Sequence, residues 1–131
     1  MRGPDHKQSS LFSYTNIEDR IAVDHPLRRV KVMADMVLHS MSPTFDSLYA
    51  EGGRPSIAPE RLLRALLLQC LFSIRSERAL IEHLDFNMMF RWFVGLSQDE
   101  PVWDHSSFSA NRDRLFKESV MREFFGGVVA I

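Results

Sequence analysis

Apolar residues between Pro59 and Ile74 do not keep to one side of the chain. Leu62, Leu63, Ala65, Leu66, Leu67, Leu68, Leu71, Phe72 and Ile74 cover nearly the whole circumference of a helical repeat. A helix apolar almost all round is buried by neighbours on several sides. Pro59 suits the first turn, where its missing N–H is not needed, and Glu60 complements the positive N-terminal end. A membrane span needs about 20 apolar residues, whereas Arg61, Arg64 and Gln69 interrupt this run. The pattern predicts the central core helix of an all-helical domain.

Around it the periodicity predicts thinner helices. Asp24 is the expected N-cap of a helix carrying Leu27, Val30, Ala34, Val37 and Met41 on one side, with Arg28, Arg29, Lys31, Asp35 and His39 facing away. Ser42-Pro43 ends it, and Phe45, Leu48 and Tyr49 suggest a further turn or two before Gly52-Gly53. Ser76 caps another helix, apolar through Ala79, Leu80, Ile81 and Leu84 and polar through Glu77, Arg78, Glu82 and His83. Asn87 and Gly95 bracket a short core helix from Met88 to Val94.

Asp104 and Ser106 both suit the start of a helix to Lys117, with Phe108, Leu115 and Phe116 as a narrow apolar stripe. Residues 1–23 read as an N-terminal arm docking through Leu11, Phe12, Tyr14, Ile17, Ile21 and Val23, and residues 24–117 as the helical domain. Val120 to Ile131 is apolar again, although Gly126-Gly127 is a poor pair for a helix interior. No strand-like alternation is long enough for a sheet, so the expected fold is all-α.

Composition narrows the chemistry. A chain of 131 residues with 45% hydrophobic content is long enough for one domain with a real core. Its net charge of -1 predicts no general affinity for nucleic acid, so any DNA contact needs a local basic patch. Residues 54–91 supply six Arg against four acids. The single Cys70 is expected as a core thiol in a reducing compartment. The start lacks the apolar stretch of a signal peptide, so a cytoplasmic location is expected. Neither HxxxH nor CxxC spacing occurs, and the acids are scattered. No metal site, small-molecule site or catalytic centre is legible.

Helices at 59–74 and 76–84 followed by a polar one at 106–117 suggest a helix-turn-helix-like unit. Groove-facing residues are short or forked: Ser for close approach, Asn for adenine, Arg for guanine or phosphate. Ser107, Ser109, Asn111, Arg112, Arg114 and Lys117 on the third helix are the candidate DNA contacts. Asn111 and Arg114 are expected to read bases, and Arg112 and Lys117 to touch the backbone. Arg75 and Arg78 belong to the alternative, in which the helix at 76–84 does the reading.

Five segments carry a more specific signal in order: Asp24-His25-Pro26-Leu27-Arg28, Gly53-Arg54-Pro55-Ser56-Ile57, Ile74-Arg75-Ser76-Glu77-Arg78, Arg91-Trp92-Phe93-Val94-Gly95-Leu96 and Trp103-Asp104-His105-Ser106-Ser107-Phe108-Ser109. Together they resemble the N-terminal domain of bacterial insertion-sequence transposases of the DDE type (InsH-like), over nearly the whole chain. The resemblance implies a DNA-binding domain for the element's terminal inverted repeats, with Asp104 to Ser109 opening the recognition helix. It places residues 118–131 at the start of a connecting helix and the catalytic RNase H-like domain beyond Ile131. The family's divalent metal, such as Mg²⁺, belongs to that domain, so no cofactor is expected in this chain and no cleavage by it. The expected partner is double-stranded DNA, with a homodimer as a second possibility; no membrane and no small-molecule substrate are expected. Two rivals stand beside this: a dimerisation remnant without DNA binding, and part of a complete active transposase.

Overall fold

A computed structural model describes residues 2–6, 12, 14–49, 57–117 and 119–130. Among them the chain forms α1 (Ile17–Arg20), α2 (Pro26–Ser40), α3 (Ser42–Tyr49), α4 (Pro59–Leu71), α5 (Glu77–Phe86), α6 (Met88–Val94), α7 (His105–Lys117) and α8 (Val120–Ala130). No strand occurs among the described residues, so the all-α expectation holds.

α4 is the centre. It packs against α6, α7 and α8, and Leu62, Leu63, Ala65, Leu66, Leu67 and Leu68 are all buried. Burying each leucine contributes about 1.5–3 kcal/mol. The helix is shorter than its apolar run. It ends at Leu71, and Ser73 takes a left-handed φ of 51°. The Ile74 N–H then reaches back to the Gln69 carbonyl at 3.0 Å, as in a helix-terminating αL turn. This early stop leaves Leu71 and Phe72 nearly half exposed. Cys70 is exposed as well, not a core thiol; it faces an open cleft instead of the core.

Several caps agree with the pattern. Ser76 accepts from the Ala79 N–H at 3.1 Å and Asn87 from the Phe90 N–H at 3.1 Å, while Gly95 closes α6 at φ 98°. The cap of α2 differs: His25, not Asp24, precedes Pro26, and its Nδ1 accepts from the Leu27 N–H at 3.0 Å. Asp24 lies in the preceding turn, one residue too early.

α8 is a regular helix through Gly126 and Gly127 and packs on α2, α4 and α7. Its Val120, Phe124 and Val128 complete the core. A Cβ at Gly127 would lie 2.8 Å from Val37 Cγ1. Close approach of α8 to α2 is thus the reason a poor helix former is tolerated there.

The N-terminal segment docks by polar contacts more than by its apolar knot. Ile21 is buried, but Phe12, Tyr14 and Val23 are exposed; Leu11 lies outside the described residues. The Glu18 carboxylate takes hydrogen bonds from Arg28 and from Trp92 Nε1. Arg28, expected to face away, also donates to the Ala22 and Ile21 carbonyls at 2.9 and 2.8 Å. Its guanidinium and the Lys31 ammonium sit 5.4 and 5.6 Å from the Trp92 ring centre, within cation–π range.

Two arginines pin the connection between α6 and α7. Arg91 is only 5% exposed and donates to the Leu84 carbonyl at 2.9 Å, the Ser97 carbonyl at 2.6 Å and the Glu100 carbonyl. Arg61 of α4 pairs with the Glu100 carboxylate at 2.8 Å and donates to the Gly95 carbonyl at 2.9 Å. That pair holds the Glu100 carboxyl well below its usual range, at about 2.

Candidate nucleic-acid interface

The candidate interface is α7, which lies across α4 and α5 with α8 on its other flank. Asp104 starts it: its carboxylate accepts from the Ser107 hydroxyl at 2.7 Å and the Ser107 N–H at 3.2 Å. Those bonds hold the Asp104 carboxyl below its ordinary value, led by the side-chain bond from Ser107. Only Phe108 and Leu115 enter the core, and the Trp103 ring lies 6.2 Å from that of Phe108. Phe116, expected in the apolar stripe, is 70% exposed. It follows Leu115 by one residue, so the helical turn carries it about 100° away from the buried side.

The outermost stripe of α7 is Ser106, Ala110, Arg114 and Lys117, all exposed, with exposed Asp113 beside it. Small residues occupy its N-terminal half and cations its C-terminal half. This lets the backbone come close at one end and supplies charge at the other. Arg114 is already oriented: Nη2 donates to the Leu48 carbonyl at 3.0 Å, and the guanidinium stacks 4.2 Å from the Tyr49 ring centre. Burial there pushes the Tyr49 phenol above its ordinary value.

The other expected contacts are distributed less evenly. Asn111 Nδ2 donates to the Ser107 carbonyl one turn back at 2.7 Å. Ser109 and Arg112 turn toward α5. The Ser109 hydroxyl donates to Glu77 Oε1 at 2.8 Å, and Arg112 pairs with Glu77 Oε2 and with Asp113 at 2.8 Å. Those carboxylates, Asp113 foremost, raise the Arg112 pKa and keep it charged. Arg75, in the turn between α4 and α5, and Arg78, on α5, are exposed. Arg78 shares a shallow depression with His105 at the N-terminal end of α7. Thus Arg78 flanks the same helix as the other candidates.

Glu77 is the residue that sequence reasoning misplaced. It was expected on the polar side of its helix, yet its side chain is only 12% exposed. The signal that could have found it is the stripe His105, Ser109 and Arg112 on α7, which meets one carboxylate. Beside it opens a cleft of about 420 Å³ lined by Cys70, Phe116, Met121 and Phe125.

Among the described residues no helix is long and apolar enough to cross a membrane. A family model described as Transposase domain (DUF772) matches residues 15–114. Those limits run from just before α1 into the last turns of α7, and so include the whole connection that Arg61 and Arg91 pin. Among curated proteins and among solved structures, none matches.

Proposed function

The chain belongs to this transposase-domain family, and from that premise we propose that it binds double-stranded DNA at the terminal inverted repeats of an insertion element. In this reading it is the end-recognition part of a DDE-type transposase, α4 and α5 are the platform of a helix-turn-helix-like unit, and α7 enters the major groove. The observation that carries the reading is the exposed Ser106, Ala110, Arg114 and Lys117 stripe on a helix anchored from behind by Phe108 and Leu115. Arg114 and Asn111 read base edges. Lys117, Arg75 and Arg78 meet phosphates, and Ser107 permits close approach. Strand cleavage and its divalent metal belong to a catalytic RNase H-like domain of the full transposase.

The test is titration of a duplex carrying the element's inverted repeat against a scrambled duplex, at several salt concentrations. Arg114→Ala should cost about 1–3 kcal/mol on the cognate end and little on the scrambled one. Lys117→Ala should weaken both and flatten the log–log salt slope by about one. Equal affinity of the wild-type chain for both duplexes would sink the proposal.

A second reading, a dimerisation module, draws on exposed Phe116 and Val129. It is weakened because Val120, Phe124 and Val128 of the apolar tail are buried within the chain's own core. Sedimentation separates the two: a stable dimer that ignores DNA favours the second.

A further inference from the structure

An acid packed against the helix that faces a polyanion is out of place unless it has another task, and Glu77, only 12% exposed, lies on the α5-facing side of α7. We propose that Glu77 and Arg112 form a strut between α5 and α7 that sets the position of the reading helix, and that neither touches DNA. This rests on α7 being the DNA-facing helix. Three side chains converge on the one carboxylate: the Ser109 hydroxyl at 2.8 Å, the Arg112 guanidinium, and His105 Nε2 at 3.7 Å. Positions 105, 109 and 112 are spaced four and three apart, so they form one line along α7. Glu77 is itself fixed, because it begins α5 directly after the Ser76 cap.

The need for such a strut follows from how little of α7 is apolar. Phe108 and Leu115 are its only buried side chains, and they lie on a single line. Two contacts on a line leave the helix free to roll about that line. A contact off the line removes the freedom, and the Ser109 hydrogen bond to Glu77 is directional where hydrophobic contact is not, with the Arg112 ion pair beside it. Arg114 on the Leu48 carbonyl gives such a contact on the α3 side, and Glu77 gives it on the α5 side.

The proposal reverses two ordinary expectations. Removing a negative charge near a DNA-binding face normally strengthens binding; removing Glu77 should weaken it. Removing an arginine that contacts phosphate flattens the salt slope; removing Arg112 should lower affinity without changing the slope.

The experiment uses the full chain in two assays. In the first, the inverted-repeat duplex is titrated at several salt concentrations with Glu77→Ala, the isosteric Glu77→Gln, Arg112→Ala and Arg112→Lys. The two alanine variants should bind about tenfold more weakly, the scale of one lost base-pair contact, at unchanged slope. Glu77→Gln should be milder because it keeps an acceptor for Ser109, and Arg112→Lys should recover much of the loss because it keeps the charge. Glu82→Gln, which removes an exposed acid on the same helix, should bind as well as wild type or better. In the second, amide exchange without DNA should quicken about tenfold in α7 of the Glu77 variants while α2 and α4 keep their protection.

Tighter binding by the Glu77 variants, unaltered α7 exchange, or a slope flattened by about one in Arg112→Ala would each overturn the strut. If wild-type chain fails to prefer the inverted repeat, the DNA reading falls instead. Exchange in α7 then decides alone whether the strut exists.

Discussion

α4 and α7 have the same length, 13 residues each, yet they are held by different physics. Seven side chains of α4 are buried, against two of α7. Burial is non-directional, so α4 keeps its place through many redundant contacts, and no single polar bond matters much. The position of α7 depends on a few directional contacts: the Asp104 cap, Ser109 and Arg112 on Glu77, and Arg114 on Leu48 and Tyr49. The difference teaches where the molecule can change. A fold anchored by one greasy helix can support a second helix whose outer surface is left uncovered.

The largest effect is expected in α4. Leu63 is fully buried, and Leu63→Asp would bury a carboxylate among apolar side chains, at a cost of several kcal/mol. That is comparable to the whole stability of a small domain, about 5–15 kcal/mol. The variant should lose its cooperative thermal transition. A transition at the wild-type temperature would mean that α4 is not the centre and that the contrast with α7 is false.

An intermediate effect is expected in the connection that leads from α6 into α7. Arg91→Ala leaves the Leu84, Ser97 and Glu100 carbonyls without their donor. Unsatisfied buried polar groups cost about 1–3 kcal/mol each, and solvent can reach the two carbonyls on the connection. The chain should therefore fold but unfold with about 2–4 kcal/mol less stability. The missing contact should also raise amide exchange through 96–104 more than in α2. An urea midpoint within error of wild type would show that the connection holds α7 without Arg91.

How much of this was legible in the sequence follows the same division. The leucine run predicted α4 as the core because burial depends on residue type. Ser76, Asn87 and Gly95 were legible because capping acts within three or four residues of the chain. What escaped was decided by neighbours remote in sequence. Glu77 read as a surface charge and Arg91 only as one cation of a basic segment, and the fold alone brings α7 to the first and Ser97 and Glu100 to the second. Cys70 and Phe116 are apolar enough for a core, but both face an open cleft and stay exposed. Gly127 looked like a helix breaker until Val37 of α2 filled the space its side chain would need. The α7 face was legible as a set of small and basic residues. Its division into an outer stripe and an α5-facing side was not.

The smallest effect sharpens the comparison at the point where α4 reaches the connection to α7. Arg61, together with the Ser97 N–H, holds the Glu100 carboxyl at about 2, against an ordinary value of 4.5. A group whose pKa is lowered by folding stabilises the fold above its unfolded value and loses that contribution as pH falls through its folded one. The Arg61–Glu100 contribution should thus be complete above about pH 4.5 and decline toward pH 2. Its size is limited, because the side chains are 32% and 39% exposed and exposed pairs contribute roughly 0–1 kcal/mol. Glu100→Gln removes the charge and spares the backbone carbonyl that Arg91 uses. Thermal unfolding of the two proteins should differ by a few degrees or less at neutral pH, and the two curves should converge as pH falls from 4.5 toward 2. A gap that persists to pH 2, or widens with acid, would mean that Glu100 acts through shape. The connection into α7 would then be held by Arg91 and by the Arg61 bond to the Gly95 carbonyl, without help from the Glu100 charge.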